Sequence, residues 1–135
     1  MRLELITYTP HVETLIATAM LTTTSSSKPS ALFHRLEKNP RRVESLLKRL
    51  RVHHGSILEH NRFCWIMKAT ESEVLDLILQ NRFFSVTRVG DSRWLVSCNL
   101  RTVIECAQRV RNSLTESLIG SIRQAAPRIA ELMQV

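Results

Sequence analysis

Glycine is scarce in this chain: its 135 residues include three glycines, together with one tyrosine and three cysteines. So few glycines leave little scope for the loops that cradle phosphates, and the sequence contains neither a P-loop nor a G-x-G-x-x-G fingerprint. It also lacks the G-x-S-x-G turn that presents the nucleophile in α/β hydrolases. The common glycine-dependent nucleotide and hydrolase sites are therefore excluded.

The cysteines and the apolar runs exclude further classes. Cys64, Cys98 and Cys106 are odd in number and have no C-x-x-C spacing, which favours ordinary half-buried thiols over a zinc or redox site. No apolar run reaches the roughly 18 residues that a bilayer span requires. Residues 1–10 read as a strand without the apolar core of a signal peptide. We expect a soluble, cytoplasmic protein with no bound metal and no membrane partner.

Positive charge is abundant, since 19 Lys and Arg face 12 Asp and Glu and give a net charge of +7. Such a field attracts phosphates, nucleotides and other anions. The helical segment 41–51 places several basic residues on one face, which is either a solvated surface or a phosphate-attracting one. Because the aromatics that stack on single strands are not interleaved with this face, nucleic acid is not the expected partner.

Hydrophobic periodicity predicts the elements of one domain spanning residues 1–135. Period-two alternation indicates strands over 2–8 and 62–69 and a hairpin over 83–99. Helical spacing indicates helices over 10–21, 29–39, 40–53, 70–81, 101–114 and 115–133, with a break or kink at Pro127. This order predicts an α+β fold in which a small antiparallel sheet packs with helices.

Local signals predict how several of these elements begin and turn. Thr9 followed by Pro10 is typical of a helix start, and Thr70 with Glu73 forms a capping box. A second box is expected at 113–116. Gly90 is predicted to supply the positive φ of the hairpin turn.

The segment "HHGSILEHNRF" at 53–63 concentrates titratable groups immediately before a predicted strand. Its "HGSILEH" part, followed by Phe63 and Trp65, resembles the flavin-dependent thymidylate synthases, in which a His-x-Ser/Thr-x-x-Glu-His segment precedes a strand. The opening "LITYTP" and the later "NLRTV" resemble the first strand and the Asn-x-Arg segment of that family. These three matching segments occur in the same order as in the family, and together they extend over most of the chain.

The resemblance implies a flavin site, with FAD as the cofactor. It places five residues near the flavin: His54, Ser56, Glu59, Asn99 and Arg101. The residue types suit that role, because Ser and Asn hydrogen-bond and the planar guanidinium of Arg matches a pyrophosphate. A structural pairing of Glu59 with His60 at the start of the strand is the alternative interpretation.

The substrate-binding motif of the family is altered here. Gln80-Asn81-Arg82 stands in place of Arg-His-Arg, and Gly90 stands where the second serine is expected. Arg82 and Ser85 match the third arginine and the first serine of that motif. The resemblance therefore implies a central deletion near 85–95.

A further substrate-binding arginine of the family falls out of register on the helix that follows Asn99. Arg109 and Arg111 flank the matching position, and either could substitute for it or belong to a solvated helix face. Because charged hydrogen bonds contribute roughly 1.5–3 kcal/mol each, losing two basic side chains weakens the binding of a substrate phosphate.

Two functions follow, and the sequence leaves the choice between them open. The first is a shortened homologue of flavin-dependent thymidylate synthase that keeps flavin or nucleotide binding without methylating dUMP alone. The second is a non-catalytic oligomeric interaction or regulatory module that reuses the fold. The resemblance implies a homotetramer in either case.

Overall fold

A computed structural model describes residues 1–50 and 55–132. The strands are β1 Arg2–Tyr8, β2 Phe63–Lys68, β3 Ser85–Gly90 and β4 Arg93–Cys98. The helices are α1 Val12–Thr22, α2 Pro29–Glu37, α3 Pro40–Leu47, α4 Glu71–Gln80, α5 Leu100–Arg109, α6 Ser113–Ala125 and α7 Pro127–Leu132, and a 3₁₀ helix spans Gly55–Glu59. The predicted α+β class with a small antiparallel sheet is confirmed.

The four strands form one sheet in the order β1-β2-β4-β3, and every neighbouring pair is antiparallel. Alternation along β2 buries Phe63, Trp65 and Met67 against the helices. The opposite face, which we call the open sheet face, carries partly or fully exposed side chains: Arg2, Glu4, Cys64, Ile66, Lys68, Arg93, Leu95 and Ser97. The sheet is therefore covered by helices on one side.

The core fills the space between the sheet and the helices. Trp65 is fully buried, and its Nε1 donates a hydrogen bond of 2.9 Å to Ser121 Oγ on α6. Val43, Leu46 and Leu47 of α3 are buried as their spacing predicts. In the described part of the chain, no helix combines the length and hydropathy that crossing a bilayer requires.

Several local predictions are confirmed. Thr70 and Glu73 form the expected capping box at the start of α4. The helical region over 29–53 divides at Asn39-Pro40, although α3 ends at Leu47 and residues 51–54 lie outside the described part of the chain. Pro127 separates α6 from α7 because it cannot donate the backbone hydrogen bond that would continue the helix.

The predicted start of the first helix is wrong. It begins at Val12, and its N-cap is His11, whose φ of 53° lies in the left-handed region. Thr9 instead extends the pairing of β1 with β2, because its hydroxyl accepts a hydrogen bond of 2.8 Å from Arg62 N. The Thr9 hydroxyl, which local spacing predicts to cap the helix, thus forms a hydrogen bond between the strands.

Two other local predictions are also wrong. The left-handed residue of the β3–β4 turn is Ser92, with φ 54°, and Gly90 has no positive φ. At the start of α6 the capping box consists of Asn112 and Thr115, one position before the predicted one. Asparagine is a strong N-cap, so the preceding residue takes that role.

Candidate functional site

Two of the predicted flavin-site residues meet where the 3₁₀ helix approaches α5. Arg101 Nη1 lies 2.5 Å from Glu59 Oε1, and Arg101 Nε lies 3.0 Å from Glu105 Oε1. The pKa of Arg101 is raised above its ordinary value, first by the hydrogen bond to Glu59 and then by that to Glu105. Glu59 thus pairs with Arg101, and none of the ion pairs found among residues 1–50 and 55–132 joins Glu59 to His60, the alternative partner.

Gly55 allows this close approach. A Cβ at position 55 would lie 2.8 Å from Arg101 Cζ, closer than van der Waals contact permits. Any larger residue would have to displace the end of the arginine side chain. The glycine of "HGSILEH" therefore has a packing role in this chain.

The structure describes two of the other three predicted flavin-site residues, Asn99 and Ser56. Asn99 is the N-cap of α5, and its Oδ1 accepts hydrogen bonds from the Thr102 backbone N–H and hydroxyl. Ser56 is exposed on the 3₁₀ helix, and His54 lies outside the described residues. The structure thus brings Glu59, Asn99 and Arg101 to one region, although the Asn99 oxygen serves the helix.

Sequence reasoning missed Asn61, which ties this region together. Its Oδ1 accepts a hydrogen bond of 2.8 Å from Leu100 N, and its Nδ2 donates one of 2.9 Å to Leu58 O. One side chain thereby joins the 3₁₀ helix to the first turn of α5. No local signal could have found this role, because Leu100 is distant in the sequence.

Glu105, the second partner of Arg101, also contacts the residue at the end of α4. Asn81 is 6% exposed, its Nδ2 lies 3.4 Å from Glu105 Oε2, and its Oδ1 accepts a hydrogen bond from Phe83 N. Glu59, Arg101, Glu105 and Asn81 are joined in series by these contacts, and we call them, together with Asn61 and Asn99, the polar junction. It links the 3₁₀ helix, α4 and α5 through side chains that are partnered within the chain.

The predicted substrate-binding residues each have a different neighbour. Arg82 Cζ lies 5.0 Å from the centre of the Phe83 ring, and Ser85 Oγ accepts a hydrogen bond of 2.7 Å from Arg62 Nη2. Arg109 donates to the Gln80 carbonyl near the end of α4.

Arg111, the fourth of these residues, pairs with Glu116 at 3.2 Å. Ser85, Arg109 and Arg111 thus each have a partner within the chain, namely Arg62, the Gln80 carbonyl and Glu116.

A cavity of about 450 Å³ lies elsewhere, between the start of α1, the α2–α3 corner and α7. Its lining includes Tyr8, His11, Glu13, Glu37 and Arg128, and it includes none of the residues that the resemblance implicates. The Glu13 side chain is 12% exposed and pairs with Arg128 at 3.3 Å.

Burial is the main influence on this carboxyl group. The pKa of Glu13 is raised by desolvation, and the hydrogen bonds from the Ile129 and Arg128 backbones and the Arg128 charge oppose that effect. The carboxylate accepts both backbone N–H groups at the start of α7, at 3.2 Å and 3.0 Å. Glu13 therefore fixes α7 against α1.

The outer surface of α4 is unusually apolar. Leu75 is 56% exposed, Ile78 40%, Leu79 74%, and Phe83, just beyond the helix, 56%. Leu75, Ile78 and Leu79 have the i, i+3 and i+4 spacing of one helix side, and Phe83 lies in the turn after the helix; we call these four residues the α4 stripe. The helix also buries Val74 and Leu77 on its inner side, so it is apolar on two sides.

Two of the three cysteines have the environment of core residues. Cys98 and Cys106 are buried and Cys64 is partly buried, with all three free of disulfides. Burial raises the pKa of the Cys98 thiol far above its usual range and raises that of Cys106 as well. Among the described residues, no group of three or more His, Cys, Asp or Glu is arranged to hold a metal ion.

Comparison with protein-family models yields no match to this chain, and comparison with curated proteins yields none either. Function is therefore inferred from the geometry of three regions: the polar junction, the α4 stripe and the open sheet face.

Proposed function

We propose that this protein is a divergent homologue of flavin-dependent thymidylate synthase that does not methylate dUMP alone and acts as a self-associating interaction module. The exposure of the α4 stripe carries this proposal. Single exposed apolar side chains are ordinary on protein surfaces, whereas a contiguous apolar patch is typical of a protein interface.

A second copy of the chain is the partner that this surface fits. Glu71, which pairs with Arg88 at 3.0 Å, lies at one end of the stripe and Arg82 at the other, and both side chains are exposed. An antiparallel arrangement of two α4 helices about a two-fold axis would place each Glu71 near the other copy's Arg82. It would also bring Leu75 of each copy to Leu79 of the other.

The polar junction supports a non-catalytic role. Arg101 lies between two carboxylates, so a pyrophosphate approaching its guanidinium would meet Glu59 and Glu105. Such an arrangement disfavours an anionic dinucleotide at this arginine, because like charges in proximity repel. The residues that resemble a cofactor site thus have a structural use in holding α5 against the 3₁₀ helix.

Sedimentation equilibrium at micromolar concentrations tests the self-association. We expect the unmodified chain to sediment as a dimer or larger assembly and Leu79→Glu to sediment as a monomer. Ile6→Glu is the matched control, because Ile6 is 53% exposed on β1, away from the stripe. A monomeric parent chain, or dissociation by Ile6→Glu and not by Leu79→Glu, would overturn the assignment.

Flavin or nucleotide binding stays a prediction with its own test. Protein purified without heating, incubated with FAD and desalted, would retain flavin absorbance if the resemblance extends to function. Loss of that absorbance in Glu59→Ala, with folding intact by circular dichroism, would favour a flavoprotein over the non-catalytic module. Absence of flavin in both samples would favour the module.

A further inference from the structure

Three cations lie side by side across one end of the open sheet face. In the antiparallel register Arg2 is opposite Lys68, and Lys68 is in turn opposite Arg93. Directly opposite residues point to the same face, and all three side chains are exposed. We call Arg2, Lys68 and Arg93 the basic row.

The basic row is unfavourable in the chain by itself. Like charges directly opposite on neighbouring strands destabilise a sheet. Among the ion pairs of the described residues, none includes Arg2, Lys68 or Arg93. Glu4 lies on the same face, but its direct neighbour across the strands is Ile66, which leaves it diagonal to Lys68.

A cavity adjoins the row. It has a volume of about 330 Å³, and its lining includes Arg2, Lys68, Thr70 and Ser92. The Thr70 hydroxyl accepts a hydrogen bond from Glu73 N, which leaves the hydroxyl proton available for donation. Glu73 also lines the cavity, with its carboxylate bonded to Thr70 N at 2.9 Å. Cations and hydroxyl donors thus border one recess.

We infer that the basic row, of which Arg2 and Lys68 line this recess and Arg93 lies beside Lys68, binds the phosphate chain of a di- or triphosphate. Neighbouring strands lie roughly 5 Å apart, so the row spreads its three charges over roughly 10 Å. A chain of adjacent phosphates presents several negative charges over a comparable distance, whereas a monophosphate would meet one or two cations. Binding would also relieve the repulsion within the row. The chemistry is the same for a nucleoside triphosphate and for inorganic polyphosphate.

Calorimetric titration at low ionic strength tests this site, with tripolyphosphate, ATP and inorganic phosphate as the probes. We expect tripolyphosphate and ATP to bind and inorganic phosphate to bind much more weakly. Equal affinities for the first two would assign recognition to the phosphate chain alone, and tighter binding of ATP would add a nucleoside contact.

Variants separate the row from the general charge of the protein. Lys68→Gln and Arg93→Gln should each raise the Kd for tripolyphosphate about tenfold, as expected for the loss of one charged contact. Arg123→Gln, an exposed residue on α6, changes the net charge equally and should alter the Kd by less than about twofold. Glu4→Gln should tighten binding about threefold by removing the nearest carboxylate on this face.

Three results would overturn the inference. Equal weakening by Arg123→Gln and Lys68→Gln would assign binding to net charge. Equal affinity for inorganic phosphate and tripolyphosphate would contradict recognition of a chain. A single-stranded oligonucleotide that binds more tightly than either polyphosphate, with the same sensitivity to Lys68→Gln, would make nucleic acid the ligand. Thermal unfolding controls for folding, because removing one charge from the row should not lower the Tm.

Discussion

The polar junction and the α4 stripe are neighbouring regions with opposite chemistry. In the junction, charged and amide groups that resemble a ligand site are partnered inside the chain, as in the contacts of Arg101 with Glu59 and Glu105. In the stripe, leucines of a kind that normally enters a core are exposed, with Leu79 at 74%. Residue type alone therefore does not locate a binding surface. Whether their interactions are already satisfied within the chain is the better guide.

The largest expected effect comes from the two sides of α4. Leu77 is 1% exposed and Leu79 is 74% exposed on the same helix. Leu77→Ala should therefore lower the free energy of unfolding by about 2–5 kcal/mol, because it removes buried contacts and leaves a cavity. Leu79→Ala should change the unfolding free energy of the monomer by no more than about 0.5 kcal/mol while weakening self-association. Urea unfolding at protein concentrations low enough to keep the chain monomeric measures the change in unfolding free energy for each variant. Similar losses in the two variants would remove the distinction between the two sides of the helix.

The next effect concerns the amide that ties the polar junction. Asn61→Ala leaves the Leu100 N–H without its acceptor, so we expect a loss of about 1–3 kcal/mol in the free energy of unfolding. Asn61→Asp keeps the acceptor and removes the donor to Leu58, and it should cost less. Equal losses in the two variants, measured by thermal unfolding, would show that the bond to Leu100 is not the important one.

A third experiment compares two Glu–Arg pairs that differ in burial. The Glu13 side chain is 12% exposed and that of Glu59 is 45% exposed. Because the pKa of Glu13 is raised in the folded state, that state holds the proton more tightly than the unfolded chain. The contribution of Glu13 to stability is therefore greatest below its ordinary pKa and falls as the pH rises through the folded-state pKa.

Urea unfolding from about pH 4 to pH 7 checks this sign. The stability of the parent chain relative to Glu13→Gln should decrease with rising pH. A difference that increases instead would mean that Arg128 outweighs the desolvation of the carboxylate. The same series with Glu59→Gln provides the comparison with an exposed pair.

The smallest effect is expected for the exposed ion pair itself. Arg101→Gln should reduce stability less than Asn61→Ala, because exposed ion pairs are screened by solvent. Its effect should diminish further as salt is added. A loss larger than that of Asn61→Ala, measured by urea unfolding at two salt concentrations, would make Arg101 the main tie of the junction.

Periodicity predicted much of the fold, and its failures have identifiable causes. The strands at 2–8 and 62–69 and the break at Pro40 follow from alternation and from proline chemistry, which are local properties. The role of Thr9 could not be predicted, because Arg62 becomes its neighbour only through strand pairing. Ser92 in the left-handed region is a comparable case, since the glycine two positions earlier was the stronger local signal.

The candidate sites were less predictable for the same reason. The resemblance points to Glu59 and Arg101 separately, and their mutual contact depends on the 3₁₀ helix lying against α5. The exposure of the α4 stripe could not be predicted, because apolar residues on two sides of a helix are typical of a more deeply buried helix. The alignment of Arg2, Lys68 and Arg93 requires the sheet register, which composition and spacing do not contain.

The sheet order also has a consequence for the way in which the chain folds. β3 and β4 are joined by a short turn, and α4 lies between β2 and β3, whereas α1, α2, α3 and the 3₁₀ helix lie between β1 and its partner β2. Closing a long loop costs more entropy than closing a short one, so the β3–β4 hairpin can form before β1 docks. During synthesis Leu3 and Leu5 leave the ribosome well before their partners Met67 and Trp65. Of the four described strands, β1 is thus expected to join the sheet after the β3–β4 hairpin has formed.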